Sequence, residues 1–306
     1  MQASGVAAAH SQASSPIHVG VAGWSYPDWA GIVHPASLRG GPRLLETVAR
    51  LVDAIEINVT FYRPVPVATV ARWAGVVAER PGLVIVVKAP RVISHDAARV
   101  TRDDVAPFQA SLAPLAACGR LAAVLVQLPV HARATSTEID RLRSIVDALQ
   151  PHAIALELRH VSFAEPRVLE VLGATGASRV HLDWPQATDH IPDAAPGFGT
   201  LGYLRLHGRN DRTWFTPGIG RDARYDHHYD APSLDGIAER IRSLAATSER
   251  TIVIANNHPR GQAVATSLEL AFRLDGQPRA VPASLVARYP ELAAITRPSG
   301  QLDLFH

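Results

Sequence analysis

One cysteine, Cys118, stands in 306 residues, and one lysine, Lys88. A single thiol excludes an intrachain disulfide and any all-cysteine zinc or iron–sulfur site within one chain. It suits a reducing compartment, so a cytoplasmic location is expected. No apolar run approaches the ~18 residues of a membrane span, and no membrane partner is expected. Also lacking are a glycine-rich dinucleotide fingerprint, a Walker loop, a His-Glu-x-x-His pair and a nucleophile elbow, which removes the reactions those motifs carry. An excess of one charge is lacking too. With 30 basic against 28 acidic side chains the net charge is +2, so bulk charge argues neither for nucleic acid nor for an acidic membrane surface.

What is present is a globular chain, 47% apolar, long enough for one large α/β domain. Residues 1–16, rich in Ala, Ser and Gln, read as a disordered arm. Eight short apolar runs follow: His18–Trp24, Ala54–Asn58, Leu83–Lys88, Leu121–Leu128, Ala153–Arg159, Ser178–Asp183, Gly202–His207 and Thr251–Asn256. Helical periodicity over Leu44–Val52, Val67–Glu79, Asp103–Ala117, Thr137–Leu149, Glu165–Leu172, Leu234–Ala245 and Ala263–Leu274 separates most of them. Ser136 and Ser233 are candidate N-caps. Parallel strands need long crossovers, and eight repeats with no ninth predict an α/β fold of one kind: a single (β/α)₈ barrel of TIM type over 17–275. Residues 276–306 read as a helical extension and tail. After the sixth strand the pattern weakens: Trp184–Phe198 holds three prolines and no helical period. The segment Gly208–Ala231 is long and polar, in the manner of a lid.

Side chains alternate across a strand. In Ala54–Asn58 the isoleucines share one face and Glu56 and Asn58 the other; in Ala153–Arg159, Leu156 and Leu158 oppose Glu157 and Arg159; in Gly202–His207, Leu204 and Leu206 oppose Arg205 and His207. If the apolar set meets the helices, the polar set enters the barrel. The same logic sends Lys88, Gln127, His181 and Asp183 inward, with one of Asn256 and Asn257. Three carboxylates (Glu56, Glu157, Asp183) would then face three cations (Lys88, Arg159, Arg205). A plug built for stability alone would use Val, Ile and Leu, and this face is where barrel enzymes keep their chemistry. Lys88 is the sharpest pointer, because a lysine, unlike an arginine, can lose its proton and serve as base, imine-forming amine or oxyanion partner. The candidate catalytic set is Lys88, Glu56, Glu157, Asp183 and His207. Aromatics at strand ends and in loops (Trp24, Tyr26, Trp29, Phe61, Tyr62, Trp184, Trp214, Tyr225, Tyr229) suit stacking on a sugar or base, or packing of the loops on one another. Arg91, His95, His160 and Arg209 would ring the mouth and favour an anionic substrate. With Asn58, Gln127, Arg159, Arg205, Asn256 and Asn257 they complete the substrate-binding set. No cofactor is expected. A divalent ion on Glu56, Glu157, Asp183 and His207 is the alternative, opposed by the cations interspersed among them.

Seven pieces in order resemble the YecE-like family, also called domain of unknown function 72: Gly20-Val-Ala-Gly-Trp-Ser-Tyr26, Glu56-Ile-Asn-Val-Thr-Phe-Tyr-Arg63, Val86-Val-Lys-Ala-Pro90 with Ile93-Ser-His95, Gln127-Leu-Pro129, Glu157-Leu-Arg-His160, Arg205-Leu-His-Gly208 and Asn256-Asn257. The resemblance implies a TIM-type barrel and no particular reaction. Val59 stands where the family usually has Ser or Thr, Val130 stands in place of a second Pro, and the 210–229 loop is longer and more basic. Function is thus expected to be an enzyme acting on a small anionic or polyhydroxylated substrate by acid–base or lysine chemistry. A nucleic-acid-processing enzyme and a non-catalytic ligand-binding barrel are the alternatives.

Overall fold

The computed structural model describes residues 16–96 and 99–297. Eight parallel strands close in chain order: β1 (Ile17–Ala22), β2 (Ala54–Ile57), β3 (Val84–Lys88), β4 (Leu121–Gln127), β5 (Ile154–Glu157), β6 (Ser178–Asp183), β7 (Leu201–Leu206) and β8 (Arg250–Ala255). Val21 pairs with Ile55 on one side and Ala255 on the other, so β1 closes the ring. Closure is tight there. A Cβ on Gly20 would stand 1.7 Å from the Ala54 carbonyl oxygen, which only glycine avoids.

The outer layer holds α1 (Gly41–Ala49), α2 (Val67–Ala78), α3 (Arg102–Ala117), α4 (Ser136–Ala148), α5 (Pro166–Gly173), α6 (Ala231–Ala245) and α7 (Gln262–Asp275). Their buried stripes follow helical spacing: in α2, Val70, Trp73, Ala74 and Val77 face the barrel. Two caps differ from expectation. Thr135, one residue ahead of Ser136, accepts from the Glu138 amide at 3.2 Å, and the Asp230 carboxylate accepts from the Ser233 amide at 3.0 Å. Pro232, which has no N–H, sits inside the first turn, where none is needed, and so moves the cap ahead of Ser233.

As the composition predicts, the described residues between β6 and β7 form turns and no helix. Beyond α7, α8 (Ala283–Arg288) and a 3₁₀ stretch, Pro290–Ile295, bury Leu285, Leu292 and Ile295 in the same apolar cluster as Val33 and Leu45. Of the expected N-terminal arm only Pro16 is among the described residues, and the tail from 298 onward lies outside them. The barrel interior is apolar over most of its depth (Val86, Leu125, Ala155, Val180, Leu182, Ile254), with polar groups gathered toward the strands' C-terminal ends.

Candidate active site at the carboxyl ends of the strands

Residues paired across parallel strands share a face. Register sets Glu56 beside Val86, Arg205 beside Leu182 and Ile254, and Gln127 beside Glu157, all on the inner side. The expected inward set holds for Glu56, Lys88, Gln127, Glu157, Arg159, Arg205, His207 and Asn256. It fails in β6. Val180 and Leu182 pack in the interior, and His181 and Asp183 point outward alongside Leu204 and Leu206. The reason is the missing helix. With no amphipathic helix after β6, polar loop and arginine side chains cover its outer face, and the apolar residues turn in.

Asp183 is bound on that outer side. Arg209 donates to it at 2.5–3.2 Å and the Tyr229 hydroxyl at 2.8 Å. Arg209, expected at the rim as a substrate contact, is engaged here instead. The interior charge count changes accordingly: three cations face two carboxylates, Glu56 and Glu157, both fully buried.

Arg205 ties the two carboxylates together. It meets Glu56 through Nε at 2.9 Å and a terminal nitrogen at 2.6 Å, and pairs with Glu157 through the other terminal nitrogen. Tyr203, two residues earlier on the same face, donates its hydroxyl to Glu56 at 2.5 Å. Arg159 donates to Glu157 at 2.7 Å. Burial alone would raise the Glu157 carboxyl. Arg205 and Arg159 outweigh it and hold the group well below the usual carboxylate range. The same two carboxylates, against burial, keep Arg205 firmly charged.

Lys88 is the exception. Its Nζ donates to Gln127 Oε1 at 2.9 Å and sits 3.9 Å above the Phe61 ring, and no described carboxylate forms an ion pair with it. Burial first, then the neighbouring Arg205, lower its pKa from 10.5 to about 7, against the pull of Glu157 and Glu56. The side chain is 7% exposed and poised between amine and ammonium near neutrality.

His207 completes this layer. Burial, then Arg205, push its pKa far down, so the ring is neutral. The Asn256 amide approaches Nδ1 at 3.0 Å, which assigns the proton to Nε2. That nitrogen is buried, 3.9 Å from Glu157 Oε1, with no hydrogen-bond partner among the described residues. The same is true of Trp184 Nε1 and Asn58 Oδ1. The site therefore presents unspent donors on His207 and Trp184 and one unspent acceptor on Asn58, beside Lys88 and two arginines.

The 208–230 segment lies over these groups. Gly208, at φ +87°, turns the chain out of β7 where a Cβ would strike His227, 2.7 Å from its Cβ. Trp214 and Tyr225 then pack against His207 at ring distances of 6.0 and 5.7 Å, and Trp214 meets Trp184 edge-on at 6.1 Å. Arg159 lies 5.5 Å over the Trp184 ring, and His190 stacks on that indole at 4.0 Å. Arg260 pairs with Asp226 and His258 with Asp222 (3.1 Å), which ties the segment to the β8 end.

Other expected contacts divide. His95 meets Phe61 edge-on and shares a 2.9 Å hydrogen bond with Ser94, and burial, then Lys88, lower its pKa to about 4. Tyr26 stacks on His258 at 4.3 Å and donates its hydroxyl to Ala22. Tyr62 and Arg91 are exposed at a neighbouring cleft of about 450 Å³. Three residues are placed elsewhere. Trp24 turns away beyond Gly23 and packs edge-on against Trp73. His160 caps its own turn through Ser162. Asn257 faces outward, donating to Thr266 of α7. Tyr203, His190 and His258 escaped the sequence reading. Tyr203 shares its face with Arg205 and was legible by the same alternation, whereas the two histidines lie in loops where no period applies.

Of the four residues expected as metal ligands, Asp183 lies on the far side of the sheet from Glu56 and Glu157. Among the described residues no three His, Cys, Asp or Glu side chains converge as a metal site.

The family described as "protein of unknown function DUF72" matches residues 18–290. A crystallised DUF72 family protein from Thermotoga maritima shares 26% identity over 85% of this chain and 99% of its own, at a TM-score of 0.76. One from Enterococcus faecalis shares 23% over 85% and 95%, at 0.74. None of the curated proteins matches the chain. Seven motifs in order, a closed eight-stranded barrel and a match over most of its length place this chain in the DUF72 family.

Proposed function

We propose that the protein is an enzyme acting on a small anionic substrate, bearing a phosphate or carboxylate, at the carboxyl ends of its strands, with Lys88 as the reactive centre. One observation carries this reading: among the described residues the lone lysine of the chain is the one buried cation of the site without a carboxylate partner, held near neutrality by burial and Arg205. An anion completes the charge balance of an interior that has three cations for two carboxylates. The Nε2–H of His207 and the indole N–H of Trp184 would meet its oxygens, and Arg159 would hold a charged end. As the ammonium, Lys88 stabilises negative charge that develops on substrate; as the free amine, it takes a proton or attacks a carbonyl. Glu56, Glu157 and Arg205 position it, and the Trp214–Tyr225 segment excludes water.

A single lysine makes the test clean. Amine-selective labelling of the intact chain, read at the Lys88 peptide, reports one side chain. Labelling should rise with pH through a midpoint near 7, and phosphate esters or carboxylates that bind should protect it. A midpoint near the ordinary 10.5, with no protection across a broad panel of such anions, sinks the proposal.

A nucleic-acid substrate is the second reading, favoured by exposed Tyr62 and Arg91 on the adjoining cleft. It requires salt-sensitive binding of a single-stranded oligonucleotide. No binding at low salt removes it. Loss of ligand binding without any turnover, on substitution of the same inward residues, would instead mark a non-catalytic barrel.

A further inference from the structure

On the outer wall of the barrel, between β6, α6 and the 184–200 connection, lies a cavity of about 480 Å³ lined by Arg179, His181, Asp193, Arg240, Ser243 and Thr247. It is separated from the mouth by the sheet itself. Arg179 is 2% exposed, and no described carboxylate forms an ion pair with it. Its terminal nitrogens donate to the backbone carbonyls of Ala195, Pro196 (3.0 Å) and Pro192 (3.5 Å), all neutral acceptors. Its Nε–H has no partner among the described residues. Arg240 spends one N–H on the Leu182 carbonyl at 2.9 Å and stands 3.7 Å from Asp193 and 3.9 Å from Asp183, beyond hydrogen-bonding distance of either. His181 is neutral, since burial and then Arg179 lower its pKa to about 3. A Cβ on Gly197 would stand 3.0 Å from its Nε2, so the glycine lets the loop close on the imidazole.

Two guanidiniums thus meet around open space, where Asp193 is half-exposed and Asp183 is already taken up by Arg209 and Tyr229. A buried cation without a counter-charge is costly to keep out of water. A buried arginine with an unspent N–H beside a second arginine suits a ligand that brings the missing charge. We propose that this outer-wall cavity is a second ligand site, taking a tetrahedral oxyanion: free inorganic phosphate or the phosphate of a small monoester. Arg179 and Arg240 hold the oxyanion, and Ser243 and Thr247 close its rim. Arg240 is also the link inward. It touches the backbone of Leu182 and flanks Asp183, which anchors Arg209 and Tyr229 at the base of the 208–230 segment.

The test is calorimetric titration of the full chain with inorganic phosphate at low ionic strength, in the Lys88→Met background so that the mouth's lysine contributes nothing. Saturable binding is expected to survive Lys88→Met and to weaken by about tenfold or more with Arg240→Gln, the loss of one charge-assisted contact. Thr247→Glu sets a carboxylate on the exposed lip without disturbing the core, and should weaken it as much. Arg179→Met should do the same, with circular dichroism confirming that the 192–196 loop it braces has not unfolded the chain. Glycerol phosphate in a parallel titration separates the two sources: tighter binding than phosphate assigns a monoester, weaker binding the free ion. No saturable phosphate binding in the Lys88→Met chain, or binding that neither Arg240→Gln nor Thr247→Glu moves, overturns the proposal.

Discussion

Lys88→Met is expected to make the protein more stable in mild acid, and by an amount that shrinks as pH rises. In the fold the ammonium is desolvated and faces Arg205, while its carboxylate neighbours are taken up by Arg205 and Arg159. A fall in its pKa from 10.5 to about 7, at about 1.4 kcal/mol per pH unit, corresponds to about 5 kcal/mol against the charged form. Methionine matches the lysine's stem but forgoes the hydrogen bond to Gln127, which returns about 1 kcal/mol. The sign follows from proton counting. Between pH 7 and 10.5 the unfolded chain keeps the lysine proton and the folded chain releases it, so wild-type stability rises with pH relative to the variant. Urea denaturation of both proteins should therefore show Lys88→Met ahead by about 3–4 kcal/mol at pH 6, with the gap smaller by about 3 kcal/mol at pH 9.5. All other titrating groups are common to the two chains and cancel. A gap that does not change with pH, or a wild type that is the more stable at pH 6, would refute the argument that Lys88 is a buried, unpaired charge.

Glu56→Gln should destabilise by about 3–5 kcal/mol in the same assay, because it weakens the acceptor shared by buried Arg205 and Tyr203; a loss under 1 kcal/mol would mean the network relaxes around it. Asp183→Asn should act on the 208–230 segment, not on the chemistry. Limited proteolysis between Gly208 and Tyr229 should accelerate, while the pH midpoint of Lys88 labelling stays where it is, and a moved midpoint would return Asp183 to the site. Protection of Lys88 by bound phosphate should weaken as pH climbs through about 7, since the free amine no longer attracts the anion; protection that strengthens with pH would contradict an ammonium contact. Trp214→Ala should speed Lys88 labelling severalfold by opening the cover over His207, and an unchanged rate would show that the amine is reached from the Phe61 side.

Strand spacing, helix periodicity and alternation were local properties, and the chain alone determined them. They specified eight parallel strands and the inner position of Glu56, Lys88, Glu157, Arg205 and His207, because a barrel forces one face in and the other against helices. The lone lysine was legible for the same reason: its place at the end of a strand put it in the mouth. Only the tertiary structure decided what each of these groups meets. Two arginines satisfy the two carboxylates and leave Lys88 with an amide and a ring, an allocation set by side-chain reach across the barrel, between residues as far apart in sequence as Glu56 and Arg205. It also reversed β6. Alternation says that two faces differ but not which is inner. In seven strands the helices settle that, and after β6 no helix packs, so Asp183 and His181 turn outward to arginines that lie far along the chain.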